Sequence, residues 1–451
     1  MKRFPWVLVV CAFFGASPAG KDATDGVVRW MWSGGVTFSS AVVKARLVDP
    51  AAPVQMELCA GENCEPAPVP AEAAETSVDE YAIVTVRLRG LRPATLYRYR
   101  FAQNGSRSLV GSFRTFGDGP FSFRVAFGSC ATTGSEHKVF LRIRDLEPDL
   151  FLHMGDFHYE DIDEPDVEEF LEAYDEVLTS KTQAELFRHV PVAYIWDDHD
   201  FGPDGSDRTA PGRLAALEAY RRAVPHYPLL PLEADEATIQ QAFTVGRIRF
   251  ILTDLRAGRE PARGKAGRPS SMLGLPQRRW LLKELAAAAA APFPLLIWVS
   301  TVPWIAAEDA DKPVGWAPYA RERELIAARI RSLGLARRML MLSGDAHMVA
   351  IDDGTHSNFA PGAPPGEKGF PVVHAAPFDR YPRKKGGPYS HGTATGHAFF
   401  PWDKVQQFGF LEVEDSGDVL RVRVTGRDEH GRVIPGMELR MTCTAAGCRV
   451  E

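Results

Sequence analysis

Residues 149–160 read DLFLHMGDFHYE. An apolar run of strand length stops at Gly155-Asp156, and the chain then offers a carboxylate, an imidazole, a phenol and a second carboxylate in quick succession. The same pattern recurs elsewhere. FRVAFG (123–128) is followed by Ser129 and Cys130, VPVAYIW (190–196) by Asp197, Asp198, His199 and Asp200, and RMLMLS (338–343) by Gly344, Asp345, Ala346 and His347. Two more apolar strands, RFILTDL (249–255) and PLLIWVS (294–300), complete the set. Helix-like segments over Val167 to Arg188, Arg213 to Ala223, Pro276 to Ala290 and Tyr319 to Ser332 space them, which predicts an α/β domain. Ligands of such folds sit at the carboxyl ends of the strands, so carboxylates, imidazoles, a phenol and a thiol converge on one edge.

Upstream, the period changes. VVRWMWSG, SSAVVKARLV, YAIVTVRLRG, TLYRYRFA and SLVGSFRTF alternate apolar and polar residues between Gly, Pro and Asn turns, predicting a small antiparallel β-sandwich over residues 26–116. The α/β domain follows over residues 120–451. Its tail returns to strands (FGFLEVED, VLRVRVTG, ELRMTC), which are expected to close one face of the core.

The chain of 451 residues, 45% hydrophobic and 24% charged, lies in the globular range, with room for two cores. A formal net charge of -6 excludes a chain-wide basic field, so no bulk nucleic-acid binding is expected. Residues 1–19, with Lys2 and Arg3, then an apolar run, then small residues, read as a signal peptide cut near Ala19. The run is shorter than the roughly 20 apolar residues that span a bilayer, so no stable membrane anchor is expected. The reading is a periplasmic or secreted protein. In that oxidising setting Cys59 and Cys64 (CAGENC), and Cys443 and Cys448 (CTAAGC), can each close a local disulfide, while Cys11 leaves with the signal. Cys130 is left over, and an unpaired thiol there is a liability unless buried or ligated.

Asp156, Asp198 and Asp204 crowded into a low-dielectric cleft would repel one another strongly unless a cation neutralised them. The mixture of thiolate, phenolate, imidazole and carboxylate suits a transition metal on the softer ligands and a hard cation on the oxygens.

The order GSC, GDxxYE, DDHD, SGDxH resembles the alkaline phosphatase D (PhoD-like) family of metallophosphoesterases. LRPATLYRYRF and GSFRTF resemble that family's N-terminal domain, and TDLRAGR, MLGLPQRRWL and STVPW resemble segments between its motifs. The resemblance implies a layered metallophosphoesterase domain behind the sandwich. It also implies that Cys130 and Tyr159 bind Fe(3+), that Asp156 bridges this ion to a neighbouring cation, commonly Ca(2+), and that Asp198 and His347 complete the cluster. One departure stands out: where the family supplies an Asn after DDHD, FGPDGSD puts Asp204.

The expected activity is hydrolysis of phosphate mono- or diesters, with metals lowering the pKa of bound water so that hydroxide attacks phosphorus in line. Arg256, in TDLRAGR just past a strand end, is expected to contact the phosphoryl oxygens. His199 is expected to assist the leaving oxygen or orient a ligand, and at least one of Asp197 and Asp200 to orient or cap rather than ligate. Arg380, Arg383, Lys384 and Lys385 in FDRYPRKKGG read either as a mobile electropositive rim or as a solvated loop. Two rival readings are a thiol hydrolase, with Cys130 as nucleophile and His347 as base, and a non-catalytic surface-binding protein with structural metals.

Overall fold

The strand Leu295–Ser300 is buried throughout, yet its side chains divide between two cores. Leu295, Ile297 and Val299 join one apolar cluster, and Leu296 and Trp298 join the other. The alternation of strand side chains therefore places this sheet between two apolar layers. Met339–Ser343 does the same, with Leu340 and Leu342 on the first face and Met339 and Met341 on the second.

The computed structural model describes residues 26–70, 73–229, 237–262, 270–291, 293–306, 315–396 and 403–451; the signal-like stretch 1–19 lies outside them. Among the described residues this inner strand belongs to a seven-stranded sheet. Ile248–Leu252, Leu295–Ser300, Met339–Ser343 and Val372–Ala375 run parallel in it, in that order. Its outer face packs on helices Gly274–Ala290 and Ala320–Ser332 through Leu281, Leu285, Ile326 and Ile330. Its inner face shares a core with a larger, eleven-stranded sheet, in which Phe123–Gly128, Leu150–Met154 and Val192–Ile195 run parallel side by side.

Helices Val139–Asp145, Val167–Thr179, Lys181–His189 and Arg213–Ala223 add their apolar faces to the core of that larger sheet. In Val167–Thr179 the buried Phe170, Leu171, Tyr174, Val177 and Leu178 make a helical stripe, and the Asp166 side chain caps the first turn by accepting from the Glu168 N–H. The single helix expected to run to Arg188 is broken at Ser180, whose backbone is extended.

The sandwich is present, but it shares a sheet with the α/β layers. Val28–Gly34, Ser40–Leu47, Ile83–Arg89 and Ala74–Val78 continue the larger sheet through a parallel contact of Gly34 with Val192. A Cβ on Gly34 would stand 2.4 Å from the Pro225 carbonyl oxygen and 2.5 Å from that of Val192, so the seam requires glycine. A small separate sheet, built on Gln55–Ala60, Leu96–Gln103 and Gly111–Arg114, faces this extension and contributes Tyr99, Phe101 and Phe113 to the same core. The C-terminal strands close part of one face of the core, through Phe410, Val424 and Leu439, and they do so as a continuation of the larger sheet. Gln407–Asp415 pairs antiparallel with Phe123–Gly128, and Leu420–Asp428, Val433–Thr444 and Gly447–Val450 carry the sheet outward from there. Both expected disulfides form, Cys59–Cys64 at 2.06 Å and Cys443–Cys448 at 1.99 Å, and Cys130 is free and buried.

Candidate metal centre

The parallel strands of the two sheets end side by side, and the loops that leave them are locked together by short backbone contacts. The Cys130 N–H donates to the Gly155 carbonyl and the Ala131 N–H to that of Asp156. The Asp345 N–H, from the other sheet, donates to Ser129 Oγ at 3.1 Å. Gly344 and Gly155 permit this closeness: a Cβ on the first would lie 2.6 Å from Ser129 Oγ, and one on the second 2.4 Å from Asp197 Cβ. Cys130, Asp156, Asp345 and His347 all adopt positive φ, between 51° and 64°. Left-handed backbone at a non-glycine residue costs about 1–3 kcal/mol, and such strain gathers where a site demands a particular side-chain direction.

Two groups of potential ligands result, and they share one carboxylate. Cys130, Asp156 and His347 present ligand atoms within 4.8 Å of one another, as do Asp156, Asp198 and His199. Tyr159 joins the first group, its hydroxyl 2.8 Å from Asp156 Oδ2 and 3.3 Å from His347 Nε2. Cys130 Sγ lies 3.3 Å from the same Asp156 oxygen. His347 Nδ1 meets the Tyr381 carbonyl oxygen at 2.6 Å, so this nitrogen carries the proton and Nε2 turns its lone pair to the cluster. His199 Nδ1 is held at 2.6 Å by the Asp161 carboxylate, and its ring lies 4.1 Å from that of Tyr159, centre to centre.

The electrostatics of the cluster call for a cation. Burial, then Asp198 and the neighbouring carboxylates, push the Asp156 carboxyl well above its ordinary range. Burial and then Asp156 push up the Cys130 thiol and the Tyr159 phenol in the same way. Burial lowers His347 to about 4, so the imidazole stays neutral. Asp156 Oδ1 is buried without a hydrogen-bond partner among the described residues, an arrangement that costs free energy unless a ligand takes it up, and Asp198 Oδ1 has the Arg256 guanidinium 3.5 Å away but no hydrogen bond. A carboxylate oxygen left open, a neutral imidazole, a thiol and a phenol around one small volume fit metal binding, with Asp156 common to both ligand groups.

The sequence DDHD divides its labour. Asp200 accepts from the N–H groups of Phe157, His158 and Asp197, closing the capping box of the short helix Asp198–Phe201. Asp197 accepts from Arg256 Nε at 2.6 Å and from the Thr301 hydroxyl at 2.9 Å. Both therefore orient the loop that carries Asp198. Burial brings Asp197 to about 6 and Asp200 to about 7. Burial would also raise Asp198, but Arg256, then His199 and the Gly205 N–H, hold it well below the usual carboxylate range.

Two expected site residues stand apart from the expected roles. Arg256 is buried, bound to Asp197, and within 3.5 Å of Asp198 Oδ1. A guanidinium surrounded by carboxylates is spent on them, so Arg256 fixes the direction of Asp197 and Asp198. Asp204 is exposed and joins neither ligand group. The turn after Phe201 folds so that the Gly205 N–H, rather than the Asp204 carboxylate, meets Asp198, at 2.8 Å from Oδ2. Glu160, also among the residues past the strand end, is exposed.

The segment read as a mobile rim or a solvated loop is fastened at several points. The Phe378 and Asp379 N–H groups donate to the carbonyls of Ser129 and Cys130, and the Arg383 N–H to that of His347. It brings two of the basic residues of that segment against the candidate ligands. Lys385 Nζ lies 2.5 Å from Asp345 Oδ1, and the Arg380 guanidinium carbon sits 3.6 Å from the centre of the Tyr159 ring. No spacing in FDRYPRKKGG encodes that proximity; it arises from pairing between the two loops.

A family model described as PhoD-like phosphatase matches residues 125–424, and one described as the N-terminal domain of PhoD-like phosphatase matches residues 15–117. A search of curated proteins finds no match. Among solved structures, one of PhoD superposes with a TM-score of 0.67 at 16% identity, covering 96% of this chain and 93% of that one. The purple acid phosphatase PPD1 from yellow lupin (Lupinus luteus) seeds superposes with a TM-score of 0.59 at 14% identity, over 91% of this chain and 73% of that one. At these identities the superpositions speak for the fold, a layered α/β phosphatase architecture with an antiparallel N-terminal part. With well over half of its length inside the first family model, and its strand-end residues gathered where they could hold a cation, the chain belongs to the PhoD-like phosphatase family and is a phosphoesterase hydrolase.

Proposed function

We propose that the protein is an exported phosphoesterase whose centre holds Fe(3+) on Cys130, Tyr159, His347 and Asp156, and Ca(2+) on Asp156 and Asp198. The observation that carries this reading is Asp156, common to both ligand groups and left with one buried oxygen unpartnered. The thiol, the phenol and the His347 imidazole lie on one side of it and the Asp198 carboxylate on the other, which favours two unlike metals. When bound, such cations supply Lewis acidity and make water a better nucleophile near neutral pH.

The protein's own groups do the rest. Arg256, Asp197 and Thr301 keep the Asp198 loop in one orientation, and Tyr381 keeps His347 in one tautomer. Asp161 orients His199, which is placed to deliver a proton to a departing oxygen. The two short-range disulfides support an oxidising destination, in keeping with a leader over residues 1–19. We take residues 26–116 as the N-terminal domain and 120–451 as the catalytic domain, with the shared sheet setting one against the other.

A thiol hydrolase is disfavoured: Cys130 makes no hydrogen bond to His347 among those described, and burial together with Asp156 opposes formation of the thiolate. The deciding experiment is metal analysis of the purified protein alongside turnover of a phosphate monoester and diester panel, before and after chelation. Iron and a second cation in equal amounts, with chelator-sensitive turnover, are expected. Full turnover after exhaustive metal removal would end the proposal.

A further inference from the structure

Hydrolysis of a phosphate ester needs positive charge against the nonbridging oxygens, and the arginine that sequence reasoning nominated is spent on Asp197 and Asp198. Arg380 differs on each count. It is half-buried, its guanidinium makes no ion pair among the described residues, and its Nε is buried without a hydrogen-bond partner. Its guanidinium carbon lies 3.6 Å from the centre of the Tyr159 ring, whose hydroxyl is 2.8 Å from Asp156. Stacking on an aromatic ring fixes the guanidinium plane while consuming none of its N–H donors, which stay available within that plane.

The backbone that carries Arg380 is held on both sides. The Asp379 N–H donates to the Cys130 carbonyl, the Thr132 N–H to the Asp379 carbonyl, and the Val405 N–H to the carbonyl of Arg380 itself. Asp379 is further tied through its side chain to Ser135 at 2.7 Å and to Gln406 at 3.0 Å. A cation so mounted is pre-organised for an anion bound at the neighbouring cluster, because its ordering entropy is already spent.

We propose that Arg380, rather than Arg256, is the side chain that receives the nonbridging oxygens of the substrate phosphoryl group. The inference rests on the phosphoesterase reading above, and its test separates the two. The metal-loaded wild type is compared with Arg380→Ala and Arg380→Lys for metal content, for binding of inorganic phosphate by calorimetry, and for KM and kcat on a phosphate monoester. Loss of a charge-assisted bidentate contact should weaken phosphate binding and raise KM in Arg380→Ala by roughly 10- to 100-fold, with both metals retained, and Arg380→Lys should recover part of the loss.

Phosphate binding by Arg380→Ala that equals wild type overturns the inference, as does a wild type that binds no phosphate. Loss of iron in step with phosphate would also overturn it, because Arg380 would then act by steadying Tyr159. A wild type that binds phosphate through Arg380 yet turns over no ester would keep Arg380 as the phosphate contact but overturn the phosphoesterase reading and, with it, the claim about a substrate. Turnover that persists with Arg380→Ala unchanged would do the reverse.

Discussion

On one side of Asp156 lie Cys130, Tyr159 and His347; on the other lie Asp198, His199 and, behind them, Arg256. The first side contains groups that burial pushes toward their neutral forms: a thiol and a phenol driven up, an imidazole driven down. The second side has a charge of its own to work with, since Arg256 holds Asp198 ionised against the cost of burial. The difference teaches which half depends on metal for its charge state. Fully buried soft donors become anionic ligands only when a cation is there to take the charge, whereas Asp198 is already a carboxylate before any ion arrives.

The most damaging way to break this arrangement is Asp156→Asn, which takes the shared ligand from both halves. Turnover is expected to fall by at least about 10³-fold, beyond the roughly 10–100-fold typical of residues that merely orient a ligand. Iron and the second cation should be lost together. The metal-free variant should melt no lower than metal-free wild type, because Asn removes a carboxyl that burial and four acidic neighbours, Asp197, Asp198, Asp200 and Asp345, already oppose ionising. Retention of one metal at full stoichiometry would show that Asp156 is not shared.

Cys130→Ser addresses the soft side alone. A ferric ion bound by thiolate and phenolate absorbs visible light by charge transfer, so the wild type should be coloured, and the variant shifted or bleached. Iron content and activity should decline together while the second cation persists. An unchanged spectrum and rate would return Cys130 to the role of a small buried core residue.

Arg256→Ala addresses the other side. With Asp197 and Asp198 released from their shared partner, affinity for the second cation should drop by roughly 10–100-fold, with iron and its colour retained. The direction follows from the ion pair. Removing the guanidinium leaves Asp198 to the burial that raises its pKa, so protons compete better with the metal. A variant with normal metal content and weakened phosphate binding would instead restore Arg256 to the substrate.

Much of this comparison was legible in the sequence, and the part that was not has a common physical cause. Strand ends can be read from where an apolar run stops, so Cys130, Asp156, Tyr159, Asp198 and His347 were each nominated by local pattern, and the structure brings them to one place. The division into a strand-rich part and an α/β part was legible too, because strand alternation and helix stripes are local, while the layering came only with the family resemblance. What failed was the partnering of charges. Whether Arg256 faces outward or toward Asp197 depends on how a loop of one sheet meets a loop of the other, and nothing in TDLRAGR records it. Arg380 was read no further than one of a basic cluster, rim or solvated loop, for the same reason: its neighbour Tyr159 is far away in the chain, and the hydrogen bonds that fix its loop are between backbone groups that every residue has. The tail strands close a face of the core as their apolar alternation suggests, but that they do so by adding to the larger sheet, with Gln407–Asp415 on the edge of Phe123–Gly128, is a pairing that periodicity does not specify.

The gentlest test concerns Asp204. By position it stands where the family usually has Asn, and by charge it would seem a natural fourth ligand for a hard cation beside Asp198. Its side chain is exposed, while the next residue, Gly205, spends its N–H on Asp198 Oδ2 at 2.8 Å. A turn that delivers a backbone donor to a carboxylate lowers the negative charge that oxygen can offer a metal, and it points the preceding side chain toward solvent. Asp204→Ala should therefore leave second-cation stoichiometry unchanged and stability within about 0.5 kcal/mol of wild type, as for an ordinary surface position. Asp204→Asn should be equally silent. Titration of the metal-free protein with Ca(2+) distinguishes the cases: a clear loss of affinity in Asp204→Ala with recovery in Asp204→Asn would mean that the turn rearranges on metal binding and that an oxygen ligand at this position is used after all.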